Sequence, residues 1–149
     1  MKSNENRFLR NTKGQSLVEF ALILPMMLVV MFMITEFGRA LYMFNVLSAA
    51  SREGARHAVV SSAGSAVSTG TAAMQKLLAD ANMSTGATLS VVIDDNYQGT
   101  GQKVVIATAT KPFNWAFTGP MHVNPGQPTT VSPTALTLKG ESIMKAETF

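Results

Sequence analysis

From Phe20 to Thr35 the chain reads FALILPMMLVVMFMIT, sixteen residues without a charge between Glu19 and Glu36. A helix crosses a bilayer with roughly 17–25 apolar residues. Leu17, Val18 and Phe37 extend the run to that length, over residues 17–37. Pro25 lies inside it, which breaks a helix in water but is tolerated with a kink in a membrane-spanning one. Beyond the run, no proline or stop cluster interrupts Glu36 to Val60, and Leu41, Phe44, Leu47 (or Ser48) and Ala55 keep near-helical spacing. The pattern predicts one helix over residues 15–60, about 70 Å long at 1.5 Å per residue.

The pattern then changes. Residues 61–73, SSAGSAVSTGTAA, are small and polar and read as a flexible linker. A short helix is expected from about Ala72 to Ala81, with Met74, Leu77 and Leu78 on one side and Asn82 as its stop. Thr88–Asp94 and Lys103–Thr110 have strand composition and flank the polar turn DNYQGTGQ, the layout of a hairpin with a longer loop. A third strand is read within residues 131–144, interrupted by Pro133 and Gly140, after a Pro/Gly-rich loop over residues 112–128. The expected class is therefore α+β: a long amino-terminal helix, then a small antiparallel β-sheet domain over residues 74–149. About 85–90 residues outside a membrane make a marginal core without staples. Packing against the helix or a partner completes it.

Charge changes the picture at one end only. Lys2, Arg7, Arg10 and Lys13 stand against Glu5 in residues 1–14, while the rest of the chain balances eight basic against eight acidic residues. The +3 net charge belongs to the tip. A body without net charge or a basic cluster is a poor nucleic-acid binder, and nucleic acid is excluded as a partner. The basic tip before the apolar run predicts an amino terminus inside and a carboxyl end outside. The absence of cysteine removes disulfides, thiolate nucleophiles and iron–sulfur clusters.

Candidate chemistry is sparse. Asp94-Asp95-Asn96-Tyr97-Gln98-Gly99 begins like a calcium loop, but the twelfth position is Val105 and the segment joins strands. Asp, Asn and Gly are what a turn needs. His57 and His122 lack partners at ligand spacing, and no nucleophile elbow or phosphate-binding glycine motif is present. Met26, Met27, Met31 and Met33 read as apolar filling rather than soft metal ligands. No catalytic residue, metal or cofactor is expected, and the chain reads as a non-enzyme.

Three simple accounts of the apolar segment remain open: a cleaved secretory signal, a plain membrane anchor, or a buried core helix. The run exceeds the 7–15 residues usual for a signal core, and no small-x-small site follows it. Glu19 adds weight elsewhere, because a carboxylate in an apolar span costs about 2.5–3.5 kcal/mol on insertion scales and calls for a partner. Glu36 with Arg39, and Glu53 with Arg56, are spaced i,i+3 and can pair on the helix surface. Such charges form either a solvated face or rungs that meet neighbouring subunits. Gly38, Ala40, Ala49 and Ala50 permit close helix approach beside them. Phe113, Trp115 and Phe117 alternate, so on a strand they share a side. They either close the sheet on the helix or anchor a partner.

Lys13-Gly14-Gln15-Ser16-Leu17-Val18-Glu19-Phe20 resembles the type IV prepilin processing site, with glycine ending a basic leader and glutamate five residues on. The order LVEFALILP (Leu17–Pro25), then Glu36-Phe37-Gly38-Arg39, then AASREGAR (Ala49–Arg56), resembles the TadE-like pseudopilins of bacterial tight-adherence (Tad, or Flp) pilus systems. The resemblance covers about the first sixty residues; the carboxyl end, Ser142–Glu147, is only weakly similar. It implies a leader over residues 1–14 and cleavage after Gly14 by prepilin peptidase. It implies a subunit-packing helix carrying Glu19, Pro25, Glu36, Gly38, Arg39, Arg52, Glu53 and Arg56. The implied partners are a sibling minor pseudopilin, the major Flp pilin, the inner-membrane platform and assembly ATPase, and the lipid bilayer. The implied location is the bacterial inner membrane, with the carboxyl-terminal domain periplasmic, or extracellular once in a pilus. The alternative is a bitopic inner-membrane-anchored envelope protein with a periplasmic binding domain.

Overall fold

A computed structural model describes residues 12–62, 64–115 and 136–146. The elements run α1 (Thr12–Val60), α2 (Ala66–Asp80), β1 (Thr88–Asp94), a 3₁₀ turn (Tyr97–Gly99), β2 (Val104–Phe113) and β3 (Leu136–Lys145). The strands form one antiparallel sheet in the order β1-β2-β3. This is the expected α+β arrangement of a long apolar helix followed by a small antiparallel sheet. Lys2, Glu5, Arg7, Arg10, Phe117, His122, Pro133 and Glu147 lie outside the described residues, as does most of the 112–128 loop.

Two compact units divide the chain, Met1–Phe37 and Gly38–Phe149. In the first, α1 continues through Pro25, although proline offers no N–H to the carbonyl one turn back. Its large apolar side chains between Leu17 and Phe37 are exposed, and the helix is long and apolar enough to cross a membrane. Such a helix is compatible with membrane anchoring.

In the second unit the core is built from small residues. Leu47, Ala50, Ser51, Gly54, Ala55 and Ala58 form the buried stripe of α1, at the three-and-four spacing of one helix face. Leu41 and Phe44, which share the near-helical spacing of Leu47 and Ala55, are exposed. Their bulk has no place where backbones meet. At Gly54 and Gly70 the two helices touch directly: a Cβ added at Gly70 would lie 2.8 Å from the Gly54 carbonyl oxygen, and one at Gly54 would strike Met74.

That contact also corrects the linker. Residues 66–73 are the first turns of α2 rather than a flexible tether. The composition that reads as a linker is what a close helix crossing requires, because small side chains let axes approach. Ala66, Gly70, Met74 and Leu78 are the buried face. The helix stops as expected at Asn82, which takes φ 55°. The Asn82 and Met83 amides donate to the Ala79 and Leu78 carbonyls at 2.9 and 2.7 Å, a Schellman closure.

The third layer is the sheet. Val91, Val105, Ala107 and Ala109 face the core, and Gly140, opposite Ala109 in the ladder, lies on the backbone of α1 at Leu47 and Ser48. Lys111 Nζ donates to the Met83 carbonyl at 2.9 Å and also to that of Thr85, tying β2 to the turn after α2. In the β1–β2 connection, Asp94 Oδ1 accepts the Asn96 amide at 2.9 Å and Asn96 Oδ1 accepts the Gly101 amide at 2.8 Å. The oxygens that resembled calcium ligands close the turn on itself.

Candidate functional site

The candidate site lies mostly along α1. Gly14 is exposed in the first turn, with nothing near the position of an added Cβ. Gln15 Nε2 donates to Glu19 Oε1 at 3.1 Å across one helical turn. The glutamate thus has a neutral partner within its own chain, from the residue that would become the first after cleavage at Gly14. Phe20 is 59% exposed, and Pro25 is exposed on the same helix.

The charged rungs separate into different environments. Glu36 is 8% exposed and partnered, so of the two readings of these charges the solvated face does not apply to it. A buried carboxylate must keep hydrogen-bonding company. Gly38 is exposed with open space around it. Arg39 lies with its Cζ 5.3 Å from the centre of the Phe113 ring and donates to the Asn114 carbonyl at 3.5 Å. That is cation–π geometry.

The AASREGAR segment also splits. Ala50, Ser51, Gly54 and Ala55 turn into the core, whereas Ala49, Arg52 and Arg56 are exposed. Ser51 Oγ is satisfied by the Ser48 carbonyl at 3.0 Å. Glu53 Oε1 accepts from Arg56 Nη2 at 3.2 Å, the expected i,i+3 pair, and lies 3.0 Å from His57 Nε2. This corrects the reading of His57 as without a partner at ligand spacing, since Glu53 stands at i,i+4 from it on the same helix face.

The Arg56 hydrogen bond holds the Glu53 carboxyl below its ordinary range; partial desolvation opposes this, and the charges of Arg56 and His57 reinforce it. A depressed carboxylate pKa stabilises the fold above the unfolded-state value and loses that contribution as pH falls through the folded-state value. Glu53→Gln is therefore expected to lower the thermal midpoint of the detergent-solubilised chain slightly at neutral pH, and not at all at acid pH. A difference that stays constant across the titration would remove this role for Glu53.

The aromatic trio divides as well. Phe113 is fully buried and Trp115 is 39% exposed. Their rings meet edge to face at 5.1 Å. Phe113 closes the sheet on the helix, while Trp115 reaches the surface. Phe117 lies outside the described residues. Among those residues no group of three histidine or acidic side chains could hold a metal ion.

Residues 14–56 match the family described as TadE-like protein. The matched segment begins at Gly14, takes in the whole exposed apolar stretch and ends at Arg56. No curated protein and no solved structure matches the chain.

Proposed function

We propose, from the TadE-like character of residues 14–56, that this chain is a non-catalytic minor pseudopilin of a Tad/Flp-type pilus. Prepilin peptidase cuts after Gly14 on the cytoplasmic side. The platform and assembly ATPase then draw the subunit out of the inner membrane, together with a sibling minor pseudopilin and the major Flp pilin. The domain after Gly38 stands in the periplasm and becomes extracellular when the subunit enters the pilus. The observation that carries this reading is the match beginning at Gly14, in the first turn of a helix whose exposed apolar stretch holds Glu19 near its start.

The chemistry is coherent. Cleavage removes four cations and creates an α-ammonium on Gln15. Charge-assisted hydrogen bonds are roughly twice as strong as neutral ones, so a neighbour's ammonium displaces the Gln15 amide from Glu19. The paired charges then fix the helix register, an attested use of buried polar pairs. Cyclisation of an amino-terminal Gln15 would cancel this, because ring closure expels the side-chain nitrogen as ammonia and leaves a lactam without the positive charge.

The test is the intact mass and amino-terminal sequence of the chain from native membranes, with and without active prepilin peptidase. A peptidase-dependent start at Gln15 is expected. An uncut chain in the presence of the peptidase would overturn processing and favour the bitopic anchored envelope protein.

A further inference from the structure

Strand β2 runs antiparallel to the part of α1 beside it. Gly140, paired with Ala109, contacts Leu47, and Phe113, four residues further along β2, packs with Arg39. Four strand residues span about 13 Å, and the eight helix residues from Leu47 back to Arg39 span about 12 Å. The carboxyl end of β2, with Trp115 following it, therefore lies at the Gly38 end of this unit.

The residues gathered there have the chemistry of an interfacial belt. Trp115 is 39% exposed, Leu136, opposite Phe113 in the ladder, is 49% exposed, and Tyr42 is 57% exposed. Arg39 supplies the cation and ties the group to the helix through Phe113 and the Asn114 carbonyl. It is the second residue after Phe37, the last of the exposed apolar stretch. Tryptophan and tyrosine concentrate where acyl chains meet headgroups, and arginine keeps its charge at that level.

We infer that Trp115, supported by Phe113 and Arg39, is an interfacial anchor that seats this edge of the sheet on the headgroup layer of the bilayer. The inference rests on the membrane-spanning reading of the helix. The anchor holds the outer domain against the membrane before the subunit is extracted.

Trp115 is the only tryptophan in the chain, so its fluorescence reports this site alone. The full chain is reconstituted at low density into phosphatidylethanolamine–phosphatidylglycerol vesicles. Quenching is compared for lipids spin-labelled at the headgroup, at the top of the acyl chain and at its methyl end, and for aqueous acrylamide. The expected result is blue-shifted emission, quenched most by the two shallow labels and little by acrylamide. Emission quenched by acrylamide and untouched by the lipids, in chain that floats with the vesicles, would overturn the anchor and leave the spanning helix intact. Protection from every quencher would also overturn it, because protein rather than lipid would then cover Trp115. Failure to float would remove both the spanning helix and the anchor.

Discussion

Gly140→Ala is expected to destabilise the outer domain by about 3 kcal/mol, near the top of the usual range for overpacking. The added methyl would lie 2.4 Å from the Leu47 carbonyl carbon and oxygen and 2.6 Å from the Ser48 nitrogen. These are backbone atoms of a helix, so no rotamer change relieves the clash. Strand β3 must instead lift from α1, uncovering Leu47 and Ala109, both of which are fully buried. In a domain of this size the loss corresponds to a fall in thermal midpoint of more than about 10 °C. Gly38→Ala is the control, since an added Cβ there meets nothing within 4 Å. Alanine gains up to about 1 kcal/mol over glycine in a helix, so that variant should melt no lower than the parent. An unchanged midpoint for Gly140→Ala, followed by circular dichroism in detergent, would mean that β3 does not rest on α1 at this point.

The second large effect concerns assembly rather than folding. Under the proposed function, Glu19→Ala is expected to insert in the membrane and be cut after Gly14, yet to be lost from sheared filaments. Within one chain Glu19 has the exposed Gln15 amide as a partner, a weak contact whose removal should not unfold anything. Insertion should become easier, because a carboxylate in an apolar span costs about 2.5–3.5 kcal/mol. A loss confined to the filament would therefore point to a partner from another subunit. Normal incorporation of the variant would end the charge-pairing account of Glu19, as would finding most assembled subunits with a cyclised Gln15.

The elements that depend on neighbours in sequence were the legible ones. The apolar run, the hairpin strand Thr88–Asp94, the Asn82 stop and the Glu53–Arg56 pair are each set within a few residues by hydropathy, turn chemistry or helical spacing. The linker assignment failed for the opposite reason. Residues 66–73 have the composition of a tether, and only the presence of Gly54 across the crossing makes Gly70 a packing residue. The inner stripe of α1 was not legible on the same ground: Leu41 and Phe44 are more hydrophobic than Ala50 and Ala58, yet the smaller residues are buried. Where backbones approach closely, available space outweighs transfer free energy.

The amino-acid sequence alone determined the long apolar helix, its glycine–glutamate motif with the TadE-like pattern around it, and the α+β class. All of these are written in residues close together along the chain. Tertiary structure decided which face each motif residue shows. It turned half of AASREGAR inward and laid Arg39 on Phe113, a partner 74 positions away. No local pattern encodes those outcomes, because they follow from contacts between segments far apart in the chain: α2 against Gly54, and the end of β2 against Arg39.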